Sequence, residues 1–245
     1  MEIERADFLT QAFVLEPDNL KALYEKLGKL VDIVRLQINC KDNFTRKFQN
    51  FSELLEYENM PKNEIESLTL IGITTTTSPK FTVAVSFEQK QTRNVYLSVK
   101  GDEIRTLEAN RAVESSLEGM KPWYDFVARR DLPTILFGLI FIVSVSNTIR
   151  SAFGGEPLSL TPSSLTFSQI ILVVLICAAV MLVIYALVEI LNRVKKKAFP
   201  MAVFAIGNGE RRHKNNEIYR VVFIAGFFVS VAASLVMALL ALPML

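Results

Sequence analysis

At 245 residues the chain is long enough for one ordinary α+β domain and a small helical unit, and with only two cysteines it carries no disulfide framework. Its 27 Lys+Arg nearly balance 25 Asp+Glu, but the charge is divided: residues 1–131 hold 18 basic and 21 acidic side chains, and 132–245 hold nine and four. An acidic first half argues against binding driven by phosphate neutralisation, so nucleic acid is not an expected partner.

The stretch Met1 to Asp7 is charged and no apolar run follows it, which predicts no cleavable signal peptide. Cys40 and Cys177 read as buried small apolar side chains in a reducing compartment. Pro17-Asp18-Asn19, followed by Leu20, Leu23, Tyr24, Leu27 and Leu30, predicts an amphipathic helix from about Asp18 to Leu30. Val34, Leu36 and Ile38 alternate with polar residues as in a half-buried strand. Lys41-Asp42-Asn43 turns the chain, and Ser52 is a candidate cap for a short helix.

Three more strands are predicted over 65–73, 81–87 and 95–99, with short connections that favour antiparallel pairing. Thr74 to Thr77 with Ser78-Pro79 reads as a polar hairpin tip. After Gly101-Asp102, the residues Ile104, Leu107, Val113, Leu117 and Met120 predict a helix ending near Gly119. The expected fold class is therefore an α+β cytosolic head over 1–120, an antiparallel sheet with helices on one face, followed by an all-α transmembrane unit of three helices. The uncovered face of the sheet is the expected docking place for a cytosolic protein partner.

Residues 121–131 read as an interfacial juxtamembrane segment, with Trp123 and Tyr124 at headgroup level and Arg129 and Arg130 among anionic headgroups. Apolar runs predict transmembrane helices over 132–150, 167–192 and 221–243, separated by an external loop at 151–166 and a basic cytosolic connector at 193–220. The connector carries Lys195, Lys196, Lys197, Arg211 and Arg212, assigned to the membrane interface. By the excess of positive charge, the N-terminal domain is expected in the cytosol and the C-terminus outside a cell membrane, the inner membrane in a Gram-negative cell. The expected partners thus include the lipid bilayer.

Gly226, Ser230, Ser234 and Ala238 recur at i, i+4 spacing and form a candidate helix-packing face, so a homo-oligomer is expected. Within the connector, Phe199 to Ile206 is apolar and ends at Gly207-Asn208-Gly209, a tight turn with positive φ. Two readings stay open there: a segment on lipid headgroups, or one folded back and packed on the uncovered sheet of the head.

Catalytic chemistry has little support. His213 sits between two basic residues, and no metal-ligand spacing, phosphate loop or nucleophile motif is present. Glu64 and Glu66 read as a solvated face. No catalytic residue, metal or cofactor is expected. The functional expectation is a multi-pass membrane protein whose cytosolic domain senses a signal or binds a partner and is coupled to an oligomerising transmembrane unit. One version is a membrane-perturbing effector of a defence or toxin system. The alternative is a non-conducting membrane anchor or accessory subunit of a larger membrane complex.

Overall fold

Alternating apolar residues build the centre of the sheet. In the computed structural model, which describes residues 2–76, 80–131 and 188–241 together with 175, 182, 185 and 186, eight strands and five helices with defined bounds are present. They are β1 (Glu2–Leu9), β2 (Phe13–Leu15), α1 (Pro17–Gly28), β3 (Ile33–Cys40), β4 (Thr45–Phe48), α2 (Phe51–Leu55), β5 (Ile65–Ile73), β6 (Thr82–Glu88), β7 (Val95–Asp102), α3 (Glu103–Gly119), α4 (Asp125–Arg129), β8 (Ala202–Phe204) and α5 (Asn208–Ala241). Six strands form one antiparallel sheet in the order β1-β7-β6-β5-β3-β4. β2 and β8 form a separate parallel pair.

One face of the sheet is closed by α1 and α3. Leu36 and Ile38 of β3, Leu68 and Leu70 of β5, Val83 and Val85 of β6, and Leu97 and Val99 of β7 are buried beneath them. Leu20, Leu23 and Leu27 of α1 are wholly buried, at roughly 2 kcal/mol each of transfer free energy. The caps are side-chain oxygens: Asn50 accepts from Glu53 N at 3.0 Å to start α2, and Asp102 accepts from Arg105 N at 3.1 Å to start α3. At the β5–β6 hairpin, the Asp32 carboxylate accepts from Thr75 N and Thr76 N, which holds it below the usual carboxylate range.

The opposite face is uncovered within the described residues. It carries small and polar side chains, such as the hydroxyls of Thr69 and Ser86 at 3.0 Å, together with Ile33, Ile71 and Ile73 and the Phe8–Tyr96 ring pair at 4.7 Å.

The chain divides into two units, one of residues 1–125 with 200–245 and one of 126–199. In the second, residues 188–198 are helical, Arg193 bonds Glu189 at 3.1 Å, and Lys195 donates to the Arg130 carbonyl. The exposed Arg130 lies over the Phe126 ring at 5.2 Å, and Lys196 and Lys197 are exposed. Burial pushes Lys195 below the usual lysine range, against the attraction of Asp131.

The expectation of an all-α transmembrane unit is corrected. Among the described residues no helix is long and apolar enough to cross a membrane, so the multi-pass assignment and a cell-membrane location with the C-terminus outside are not supported. The span expected over 132–150, the loop over 151–166 and most of the span over 167–192 lie outside the described residues. Where the sequence divided a polar connector from a third span at residue 220, the chain instead forms one helix, α5, continuous from the charged Asn208–Arg220 stretch. Its first turns belong to the α+β domain.

Candidate functional site at the junction with the C-terminal helix

β8 enters the domain beside β2, with Phe13, Val14 and Leu15 opposite Ala202, Val203 and Phe204. The Phe13 ring meets Phe87 at 5.3 Å and Phe204 at 5.8 Å, both edge to face, and Ala205 N donates to Leu15 O at 3.0 Å. The apolar run 199–206 therefore folds back, as one of the two sequence readings allowed, but onto β2 instead of the uncovered sheet face.

Asn59 fastens the turn into α5. Its φ is +47°, and its side chain is buried. Nδ2 donates to Phe204 O at 3.0 Å and Ile206 O at 3.1 Å, while Oδ1 accepts from Ile65 N at 3.0 Å. Arg212 donates to Asn59 O at 2.9 Å and to Glu64 Oε1 at 3.2 Å. Gly207 has φ +53°, and a Cβ on it would lie 2.3 Å from Tyr57 O. A Cβ on Gly209 would lie 2.2 Å from Phe204 O. Backbone and backbone touch at both positions, which only glycine permits.

Two turns further on, a second cluster forms around Tyr124, which is fully buried. Arg220, itself buried, lies 4.5 Å above its ring and donates to Glu217 at 2.6 Å. Trp123 Nε1 donates to the same Glu217 at 3.1 Å. Burial, reinforced by Glu217 and opposed by Arg220, pushes the Tyr124 phenol up to about 12. Asp125 accepts from Ala12 N at 2.8 Å and pairs with Lys121 at 3.5 Å, which ties the end of the segment to the start of β2.

His213 lies in the first turns of α5 with its side chain 10% exposed. Burial lowers its pKa despite Glu217 at 3.9 Å, so it is neutral at neutral pH, and its Nδ1 has no hydrogen-bond partner among the described residues. It borders a cavity of about 180 Å³ shared with Glu16, Asn19, Lys121, Trp123 and Glu217.

Of the residues expected at a membrane interface, Trp123, Tyr124 and Arg212 meet in this junction and Arg211 is exposed beside it, while Arg129, Arg130, Lys195, Lys196 and Lys197 belong to the second unit. Asn59, Glu64, Glu217 and Arg220 complete it and were not singled out for this role by sequence; Glu64 read as solvated. Gly226, Ser230 and Ser234 lie on α5 beyond the junction, exposed, with Ser230 Oγ donating to Gly226 O at 2.8 Å and Ser234 Oγ to Ser230 O at 2.9 Å. Ala238 is in the same helix, its side chain outside the described set. No group of acidic, His and Cys side chains suited to a metal occurs among the described residues. Comparison of the chain with protein-family models, with curated proteins and with solved structures finds no match.

Proposed function

We propose that this chain is a non-enzymatic partner-binding protein in which the α+β domain senses a bound partner and passes the event to α5. The observation that carries the reading is the return of residues 200–220 into the domain, through β8, Asn59, Arg212 and the Tyr124–Arg220 contact. A helix that only followed the domain would need none of these buried polar bonds. Beyond the junction, α5 exposes Val222, Phe223 and Val229 beside Gly226, Ser230 and Ser234, a face for self-association.

The test is native-state hydrogen exchange on the full chain as denaturant rises. Coupling requires that the amides of 208–220 open together with those of β5 and β6, with one opening free energy and one denaturant slope. Trp123, the chain's single tryptophan, reports the same event by fluorescence through its bond to Glu217. Opening of 208–220 at far lower free energy than the sheet, with unchanged Trp123 emission, would refute the coupling and leave a domain with an independent helix.

A further inference from the structure

We propose that β1 is the interface of a two-fold dimer, in which β1 of a second copy pairs antiparallel with it about Ala6 and joins two six-stranded sheets into one of twelve. The occupant is fixed by hydrogen-bond direction and by charge. Glu88 N donates to Asn94 O, and Phe87 lies opposite Val95. Even-numbered residues of β7 therefore turn their backbone groups to β6, and odd-numbered ones turn to β1. There they face Ile3, Arg5, Asp7 and Leu9. By the same alternation, the N–H and C=O groups of Glu4, Ala6 and Phe8 point out of the edge that no other described strand pairs with.

Only a register that sets even residues against even ones makes bonds from this edge. Centred on Ala6, it places Ala6 opposite its own copy and Glu4 opposite Phe8, each a hydrogen-bonded pair. It also places Arg5 opposite Asp7 twice and Ile3 opposite Leu9 twice. Every cross-strand pair among residues 3–9 is then of opposite charge, apolar, or charged against neutral. Neighbouring registers fail: centring on Glu4, Arg5 or Asp7 sets that charge against itself, and centring on Phe8 runs off the strand, leaving Ala6 opposite Thr10 beyond its end. Arg5 and Asp7 already pair within the strand at 2.5 Å, so both are held where the copy needs them.

The helix layer agrees with this geometry. α3 contacts both β7 and β1, so in the pairing the two copies of α3 stand about two strand spacings apart, roughly 10 Å, which is a packing distance for helices. Leu107, 46% exposed, lies half a rotation round α3 from Ser116, the side to which Lys26 of α1 bonds. It thus faces past β1 toward the copy.

The experiment is oxidative crosslinking of the full chain carrying Ala6→Cys, with the unsubstituted chain giving the background. Paired as proposed, the two introduced thiols sit about 5.5 Å apart between Cα atoms, within disulfide range. Thr10→Cys is the distance control, because its copy lies about 27 Å away in this register. Efficient crosslinking at position 6 and background at 10 is the expected result. Adding Arg5→Asp should cut the dimer's association constant roughly ten-fold, and adding Asp7→Arg to that variant should restore it. No crosslink at position 6, equal crosslinking at both positions, or a charge reversal without recovery overturns the proposal. Since crosslinking reads β1 and not α5, its failure leaves the coupling reading to its own test.

Discussion

Replacing Asn59 by alanine removes a side chain that makes three hydrogen bonds in the junction. Three hydrogen bonds go; Ile65 N–H and the Phe204 carbonyl lose a buried partner, while the Ile206 carbonyl still accepts from Gly209 N at 2.9 Å. At about 1 kcal/mol net for each bond, with added desolvation cost for groups left unpaired, the loss is about 3–5 kcal/mol. Alanine also tolerates φ +47° less well than asparagine, which adds about 1 kcal/mol. The sum, about 4–6 kcal/mol, is comparable with the whole stability of many domains. The assay is exchange of the Ala205 amide, which bonds Leu15 O, and of the Phe13 amide, which bonds Met201 O. A loss of about 4 kcal/mol speeds exchange through the same opening about a thousand-fold. Asn59→Gly separates the two causes: it removes the same bonds without the φ penalty and should be about 1 kcal/mol milder. An acceleration below ten-fold in Asn59→Ala, with the sheet amides unchanged, would refute the reasoning that these bonds hold α5 to the domain.

Gly207→Ala and Gly209→Ala should each destabilise the full chain by several kcal/mol in a denaturant titration, because the added Cβ meets backbone oxygen at 2.3 and 2.2 Å. Gly226→Ala meets no atom within 4 Å and should stabilise α5 by up to about 1 kcal/mol. His213 predicts a pH dependence. Its folded pKa lies below the unfolded 6.5, so the unfolded chain binds the extra proton first; stability from this group is complete above about 6.5 and declines as pH falls from there toward the folded pKa. His213→Gln should flatten that part of the stability–pH curve, as measured by thermal unfolding, and an unchanged curve would refute the assignment.

The central strands and α1 were legible because their apolar residues keep one period throughout, whereas α3 was placed partly on Ile104 and Leu107, which are exposed, and buries Thr106, Asn110 and Ser116 instead. The missed elements break that signal. β1 carries Glu4, Arg5 and Asp7 on a sheet edge, where charge guards against random pairing. β4, with Thr45-Arg46-Lys47, is a polar edge, and β2 and β8 have three residues each, too few to show a period. Asn59 was invisible for another reason: a buried polar cap is defined by carbonyls 145 and 147 residues away. Gly207-Asn208-Gly209 did mark the turn, but nothing local named Tyr57, Glu58 and Asn59 as its counterpart. Basic residues mislead most. Arg212 looks like a headgroup ligand by composition, yet it spends its donors on Glu64 and a backbone carbonyl.

The spacing of the two clusters bears on how a signal would pass. Residues 126–199 leave the first unit and return to it, and closing such a loop costs roughly 4 kcal/mol, with only about 0.6 kcal/mol more for a doubled length. The loop's length therefore does little to set the junction; its contacts do. One contact would fix where α5 starts but leave it free to swing. Arg212 and Arg220 are eight residues apart, about 12 Å along the axis, and each is held by a different part of the domain, the Asn59–Glu64 segment and Tyr124. Two fixed points define a direction. A relative shift of about 1 Å between them would tilt a straight helix by about 5°, and at Ala241, about 31 Å beyond Arg220, the tilt becomes a displacement of about 3 Å. A small rearrangement between the loop after α2 and the segment after α3 is thereby enlarged along α5, past the exposed side chains of Val229 and Met237.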